Sequence, residues 1–125
     1  MTGVKADKPR TVPEAVRALR VLLPSSQLDV IRRSTPDDLV RFHFNLGAYI
    51  RNLWVHRGGS PLTTRVRAAG GRVDEGDELS RLIIEALWYD LNDVPFDVTL
   101  SAHFRHLLTS ADNASHLATV LMMND

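Results

Sequence analysis

The sequence predicts an all-α domain, a compact bundle of five to seven helices, on three observations. Apolar residues recur at three- and four-residue spacing along most of the chain, the period of a helix with one buried face. Proline and glycine punctuate the ends of these runs, with Pro36 and Pro61 at starts and Pro24, Gly58-Gly59 and Gly70-Gly71 at ends. No alternating apolar and polar pattern bounded by hairpin turns occurs anywhere. The 125 residues suffice for one core and are too few for two, and 44% hydrophobic with 24% charged residues is the balance of a folded chain.

Residues 1–10 lack apolar periodicity and are expected to form a flexible tail, which leaves 11–125 as a single helical domain. Thr11 and Glu14 have the spacing of a capping box, and Pro13 is tolerated in the first turn because its missing N–H has no partner there. Val16, Leu19, Leu22 and Leu23 form the stripe of this first helix, and Pro24 stops it. A short second helix is expected over 26–33, with Leu28 and Ile31 turned inward. The third starts with Thr35 as cap, Pro36 in first position and Asp38 completing a capping box. Leu39, Phe42, Leu46, Tyr49, Ile50 and Leu53 then predict one continuous helix that ends at Gly58-Gly59. A fourth is expected over 61–69, stopped by Gly70-Gly71. The acidic stretch 74–77 suits the positive end of a fifth helix reaching about Asn92. Its stripe of Leu79, Leu82, Ile83, Ala86, Leu87 and Leu91 is widened by Ile84 and Trp88, so it should be the most enclosed helix. Val94-Pro95 breaks it. Two last helices are expected over 99–109 and 113–123.

The chain lacks the marks of the common enzyme classes. There is no cysteine, which removes disulfides, thiolate metal sites and a cysteine nucleophile, and fits a reducing cytosol. No apolar run approaches the roughly 20 residues of a membrane span, and the polar N-terminus has no signal core, so a cytoplasmic protein with no membrane partner is expected. The Gly-Gly pairs lack the Lys-Ser/Thr of a P-loop, and no serine sits in Gly-x-Ser-x-Gly. His103 and His106 stand three apart and could offer two imidazoles to a metal, with Asp97, Asp112 or His116 as a third ligand. No known metal motif surrounds them, and surface or capping histidines are expected instead, with no metal and no cofactor.

Charge is strongly polarised along the chain. Residues 1–73 hold 13 Lys+Arg against 5 Asp+Glu, and residues 74–125 hold 2 against 10, so a neutral total hides halves of +8 and −8. Either the halves neutralise each other within the fold, or they leave opposite faces of opposite sign that steer a charged partner or promote self-association. A second feature lies mid-chain. His43, Gly47 and Arg51 fall four residues apart and form a polar strip, continued by Asn52, on a helix that is otherwise apolar. Gly47 in a helix interior costs about 1 kcal/mol relative to Ala, which points to close approach of another group. The expected reading is a buried lock between the third and fifth helices, in which Arg51 pairs with a carboxylate, Asp77 or Glu78, and Asn52 bonds backbone.

These same residues carry a resemblance. Phe42-His43-Phe44 through Arg51-Asn52-x-Trp54, then Ser60-Pro61-Leu62, then Asp77-Glu78-Leu79-Ser80 through Trp88 and Leu91-Asn92 resemble a family of small bacterial domains of unknown function. The family pattern is Phe-His-x-x-Leu-Gly-x-x-Ile-Arg-Asn, and the resemblance covers roughly residues 12–92. The chain departs from it with Glu75-Gly76-Asp77-Glu78 where the family has His-Pro-Asp-Asp. The resemblance implies a bacterial, cytosolic helical domain and carries over no activity. A weaker one links Arg51-Asn52-Leu53-Trp54-Val55-His56 to the Arg-polar-x-x-x-His signature of HEPN-type helical ribonucleases, which act as dimers.

Two functions follow as expectations. The first is a non-enzymatic protein-binding module, of the kind of a bacterial immunity or antitoxin-like factor. Its acidic Asp90, Asp93, Asp97 and Asp112 would meet another protein, a basic one by charge. The alternative is an RNA-binding or ribonuclease domain. There Arg51 would stabilise phosphate charge, His56 would serve as acid and base and Asn52 would orient them, while Arg32, Arg33, Arg41, Arg57, Arg65 and Arg67 hold phosphates, in a homodimer.

Overall fold

The computed structural model describes residues 8–56, 59–73 and 76–124, and among these the fold is all-α, with seven α-helices and no strand. The helix richest in apolar residues lies at the centre. It is α5 (Asp77–Leu91), which packs against α1 (Val12–Leu22), α2 (Ser25–Arg33), α3 (Ala48–Trp54) and α6 (Ala102–Leu107). Leu79, Leu82, Ile83, Ile84 and Leu87 on it are essentially inaccessible to water. Each such side chain contributes about 1.5–3 kcal/mol on burial, so this one helix organises the core. A second group pairs α4 (Pro61–Ala68) with α7 (Ala114–Met122) through the fully buried Leu62, Val66, Leu117 and Leu121.

Local chemistry starts several of these helices. Thr11 Oγ1 accepts the Glu14 N–H at 3.2 Å, while the Glu14 carboxylate turns back to the Arg10 N–H at 3.0 Å. At α4 the exchange is reciprocal: Thr63 N–H donates to Ser60 Oγ and Ser60 N–H donates to Thr63 Oγ1. Gly76 precedes α5 with φ +80, and a Cβ there would lie 2.6 Å from Val55 Cγ1. Only glycine fits both requirements.

The segment expected as one continuous third helix is wound three ways instead. Pro36–Phe42 forms 3-10 turns, His43–Gly47 a wider π-type turn, and only Ala48–Trp54 is α-helical. The expected Thr35–Asp38 capping box is absent, since the Asp38 N–H donates to the Thr35 carbonyl at 3.0 Å and the Thr35 side chain makes no cap bond. Burial accounts for the changed winding. Tightening and then widening the turn brings Leu39, Leu46 and Ile50 all onto the core while Val40 and Phe44 stay in water. Gly58, the expected stop, lies outside the described residues. The last two helices are also shorter than expected. Asp97, Ser101 and Ser110 each accept a backbone N–H two residues on, which divides the segment into 3-10 turns at Val98–Leu100 and Ala111–Asn113 and the short helices α6 and α7.

The expected tail differs at its inner end. Residues 1–7 lie outside the described residues, but 8–10 are docked: buried Pro9 accepts the Leu62 N–H at 3.0 Å, and Lys8 Nζ donates to the Gly59 carbonyl at 2.8 Å. Arg65 ties the chain ends together by donating to the carbonyls of Arg10, Val120 and Met123. Ion pairs join the oppositely charged halves, among them Arg20–Asp90 at 2.7 Å and Arg51–Asp77 at 3.4 Å.

Candidate functional site

Asp77, Glu78, Arg81 and Glu85 recur at three- and four-residue spacing, so they form one polar edge on an otherwise apolar α5. That edge meets the π-type turn on one side and α6 on the other. Arg51 reaches it from α3, with Nη1 donating to Ser80 Oγ at 3.2 Å and lying 3.4 Å from Asp77 Oδ1. Gly47 makes the room: a Cβ on it would stand 3.0 Å from Arg51 Nη1, 3.5 Å from His43 Nδ1 and 3.6 Å from Ser80 Oγ. His43 Nδ1 accepts from Arg81 Nε at 3.4 Å. Loss of water holds the His43 pKa below its ordinary 6.5, and the positive charges of Arg81 and Arg51 push it the same way against the smaller pull of Asp77 and Glu78.

On the α6 side, Glu78 Oε2 lies 3.0 Å from His103 Nδ1, and its Oε1 lies 3.7 Å from both His106 Nδ1 and Arg81 Nη1. Glu85 accepts the Ser101 hydroxyl proton at 2.5 Å. Each of these groups is therefore occupied by another group of the same chain. The Arg51 side chain is 14% exposed and Ser80 fully buried, so the arrangement closes on itself and joins three elements. Among the described residues no three His, Asp or Glu side chains are arranged to hold a metal ion. His103 and His106 share Glu78, Asp97 caps a turn, and His116 and Asp112 are exposed.

The other residues singled out by sequence are dispersed. Asn52 and His56 are exposed and make no side-chain hydrogen bond with the described residues, whereas Arg51 turns inward to α5. Of the basic residues, Arg32 and Arg33 pair with Asp29, Arg65 and Arg67 bond backbone carbonyls, Arg41 is exposed, and Arg57 lies outside the described residues. Among the acids, Asp90 pairs with Arg20, Asp97 accepts from the Thr99 N–H and hydroxyl, and Asp112 stands in the turn capped by Ser110. Asp93 is exposed in the left-handed region at φ 56, a conformation aspartate tolerates better than most residues.

The surface holds a polar depression of about 350 Å³ lined by Arg72, Asp77, Glu78, Arg81 and His106, and a mostly apolar one. A groove of about 680 Å³ runs between α1, the end of α5 and the loop that follows it. Val16 and Val21 line one side, Ala86, Val94 and Phe96 the other, and Met122 of α7 closes one part. The loop is held in place by aromatic packing, with Tyr89 meeting Trp88 edge to face and Phe96 at a tilt, both at centroid distances of 5.1 Å. Arg17, Arg20 and Asp90 stand at its margin. Periodicity did not reveal this groove, because Val94 and Phe96 belong to a loop whose return onto α1 is a tertiary event. The one available signal was the pair Val21-Leu22, apolar residues that continue the helix past its buried face.

Comparison with protein families places the chain. A family described as a domain of unknown function, DUF6794, matches residues 8–91, more than half of the sequence. The chain belongs to DUF6794. The DUF6794 match takes in α1 to α5, with the Arg51 junction and the helical walls of the groove. Val94, Phe96 and Met122, which complete the groove, lie beyond it. No curated protein and no solved structure matches the chain.

Proposed function

We propose that this DUF6794 domain is a non-enzymatic protein-binding module, an immunity or antitoxin-like factor whose partner is another protein. One observation carries the reading: the polar groups of the Arg51 and Glu78 junctions bond one another, while the groove beside α1 is lined mostly by apolar side chains and open to solvent. Catalysis needs polar groups that converge on a cavity with unspent bonding capacity, whereas an exposed apolar surface of this kind is the usual mark of a protein contact. Asp90 at the groove's margin and Asp93 just past the end of α5 are the acidic groups for a basic element of the partner.

The test is affinity capture from the native host at low salt, followed by reconstitution of whatever is retained from purified components. A protein bound at 1:1 stoichiometry by calorimetry is the expected result. Retention of RNA, together with RNA cleavage that disappears in His56→Ala while the fold is kept, would replace this reading with a ribonuclease.

A further inference from the structure

We infer that Arg81 is a two-position arm set by acid, held by His43 and Glu78 while the neighbouring imidazoles are neutral and turned to Glu85 and Asp37 once they are protonated. The switch lies within the fold and is independent of the protein-binding reading. Arg81 belongs to the walls of two separate depressions. One, of about 350 Å³, also holds Arg72, Asp77, Glu78 and His106; the other, of about 260 Å³, holds Asp37, Glu85 and His103. Glu78 stands three residues before Arg81 on α5 and Glu85 four after it, so the two carboxylates share its face, one toward each end of the helix. The arm occupies the first position, with Nε donating to His43 Nδ1 at 3.4 Å and Nη1 lying 3.7 Å from Glu78 Oε1.

Protonation acts on both of these contacts. An imidazole that accepts at Nδ1 carries its proton on Nε2, so the next proton goes to Nδ1, the atom that faces Arg81. Two donors and two like charges then stand against each other. Loss of water and the charges of Arg81 and Arg51 already favour the neutral ring, so a proton on it favours the arrangement in which Arg81 has moved away. Asp77 offers little relief, being paired with Arg51 at 3.4 Å. On α6, His103 Nδ1 and His106 Nδ1 lie 3.0 and 3.7 Å from the two oxygens of Glu78. Charging these rings draws Glu78 toward α6 and away from Arg81. Arg72, exposed and in no ion pair among the described residues, adds to the positive charge on that side. The second position has bonding capacity to spare. Glu85 accepts from Ser101 through Oε1, its Oε2 has no hydrogen bond among the described residues, and Asp37 is exposed and in no ion pair among them. Ordinary carboxylates stay ionised below the range in which histidine titrates, so both remain acceptors after the rings have charged. Acid therefore frees the π-type turn His43–Gly47 from α5 and ties the 3-10 turns Pro36–Phe42 to it.

The experiment follows the full chain by NMR from about pH 7.5 to about pH 5.5, the range in which histidine titrates, with amide hydrogen exchange at both ends. On acidification the Arg81 Nε–H resonance is expected to move together with the His43 ring. Exchange of the amides of 43–47, corrected for the intrinsic effect of pH, should rise about threefold or more. His43→Asn keeps an acceptor facing Arg81 that takes up no proton, and it should abolish most of that rise. In the Asp37→Asn, Glu85→Gln double variant the arm has no charged partner in acid, so its Nε–H should exchange about threefold faster than in wild type at the lower pH. The inference is overturned if exchange of 43–47 is the same at both ends of the range, or if His43→Asn responds to acid as wild type does. It is overturned as well if the double variant leaves the Arg81 Nε–H signal in acid unchanged, or if the wild type simply unfolds there, with amide dispersion lost throughout.

Discussion

At the scale of single residues, Gly47 and Arg51 are one unit. The glycine is where a Cβ would crowd the guanidinium at 3.0 Å, and the guanidinium bridges Ser80 and Asp77. Arg51→Ala should cost about 1.5–3 kcal/mol in urea denaturation, the scale of a lost hydrogen bond to a charged group. Gly47→Ala should destabilise the wild type and cost less, or even stabilise, in the Arg51→Ala background, because the crowded atom is gone and alanine favours the helix. Strict additivity of the two would show that the contact carries no energy. His43 gives a pH prediction. Folding lowers its pKa, so the unfolded chain binds more protons near and below pH 6.5, and stability falls as the pH drops through that range. Melting temperatures should show this acid-side loss in wild type and a smaller one in His43→Gln. Spacing alone brings His43, Gly47 and Arg51 onto one strip. What it does not reveal is that Ser80 and Arg81 complete the cluster, since those contacts cross from one helix to another, nor that Asn52 is left outside it.

At the scale of elements, helix starts were more legible than helix interiors. A cap is a bargain between residues two or three apart, so Thr11 and Glu14 announce α1 without help from the rest of the fold. The cap of α4 is equally local, and Ser60→Ala should lower stability by about 1 kcal/mol, read from the midpoint of thermal or urea unfolding. An unchanged midpoint would mean that packing of Leu62 and Val66 alone holds the element. The stretch from Pro36 to Trp54 is the contrary case. Its apolar spacing fits an α-helix, yet the chain passes through 3-10 and π-type turns because Leu39, Leu46 and Ile50 must all reach the core. Local preference is worth tenths of a kcal/mol per residue, and burial of each of these side chains is worth several times more.

At the scale of the whole molecule, the family match ends at residue 91 while the core does not. Val98, Phe104, Leu107, Leu117 and Leu121 are all buried beyond it. At about 1.5–3 kcal/mol each they rival the 5–15 kcal/mol by which a domain is stable. A chain cut after residue 92 should therefore lose cooperative melting, with circular dichroism and urea titration as the check. A sigmoidal transition at an unchanged midpoint would show that the matched segment is autonomous. The charge polarity of the chain is also spent partly inside the fold, since Arg20–Asp90 and Arg51–Asp77 each join the basic half to the acidic one.

The all-α class, the central helix and the start of most helices are legible in the chain's own pattern, because they depend on periodicity and on residues within a turn of each other. The winding of residues 36–47, the closure of the polar edge around Arg51 and Glu78, and the groove between α1 and the α5 loop were decided only by the tertiary structure. Each depends on groups distant in sequence coming into contact, as when Arg51 meets Ser80 across 29 residues. No local preference encodes such a meeting; it is settled by which arrangement buries the most apolar surface while leaving each polar group a partner.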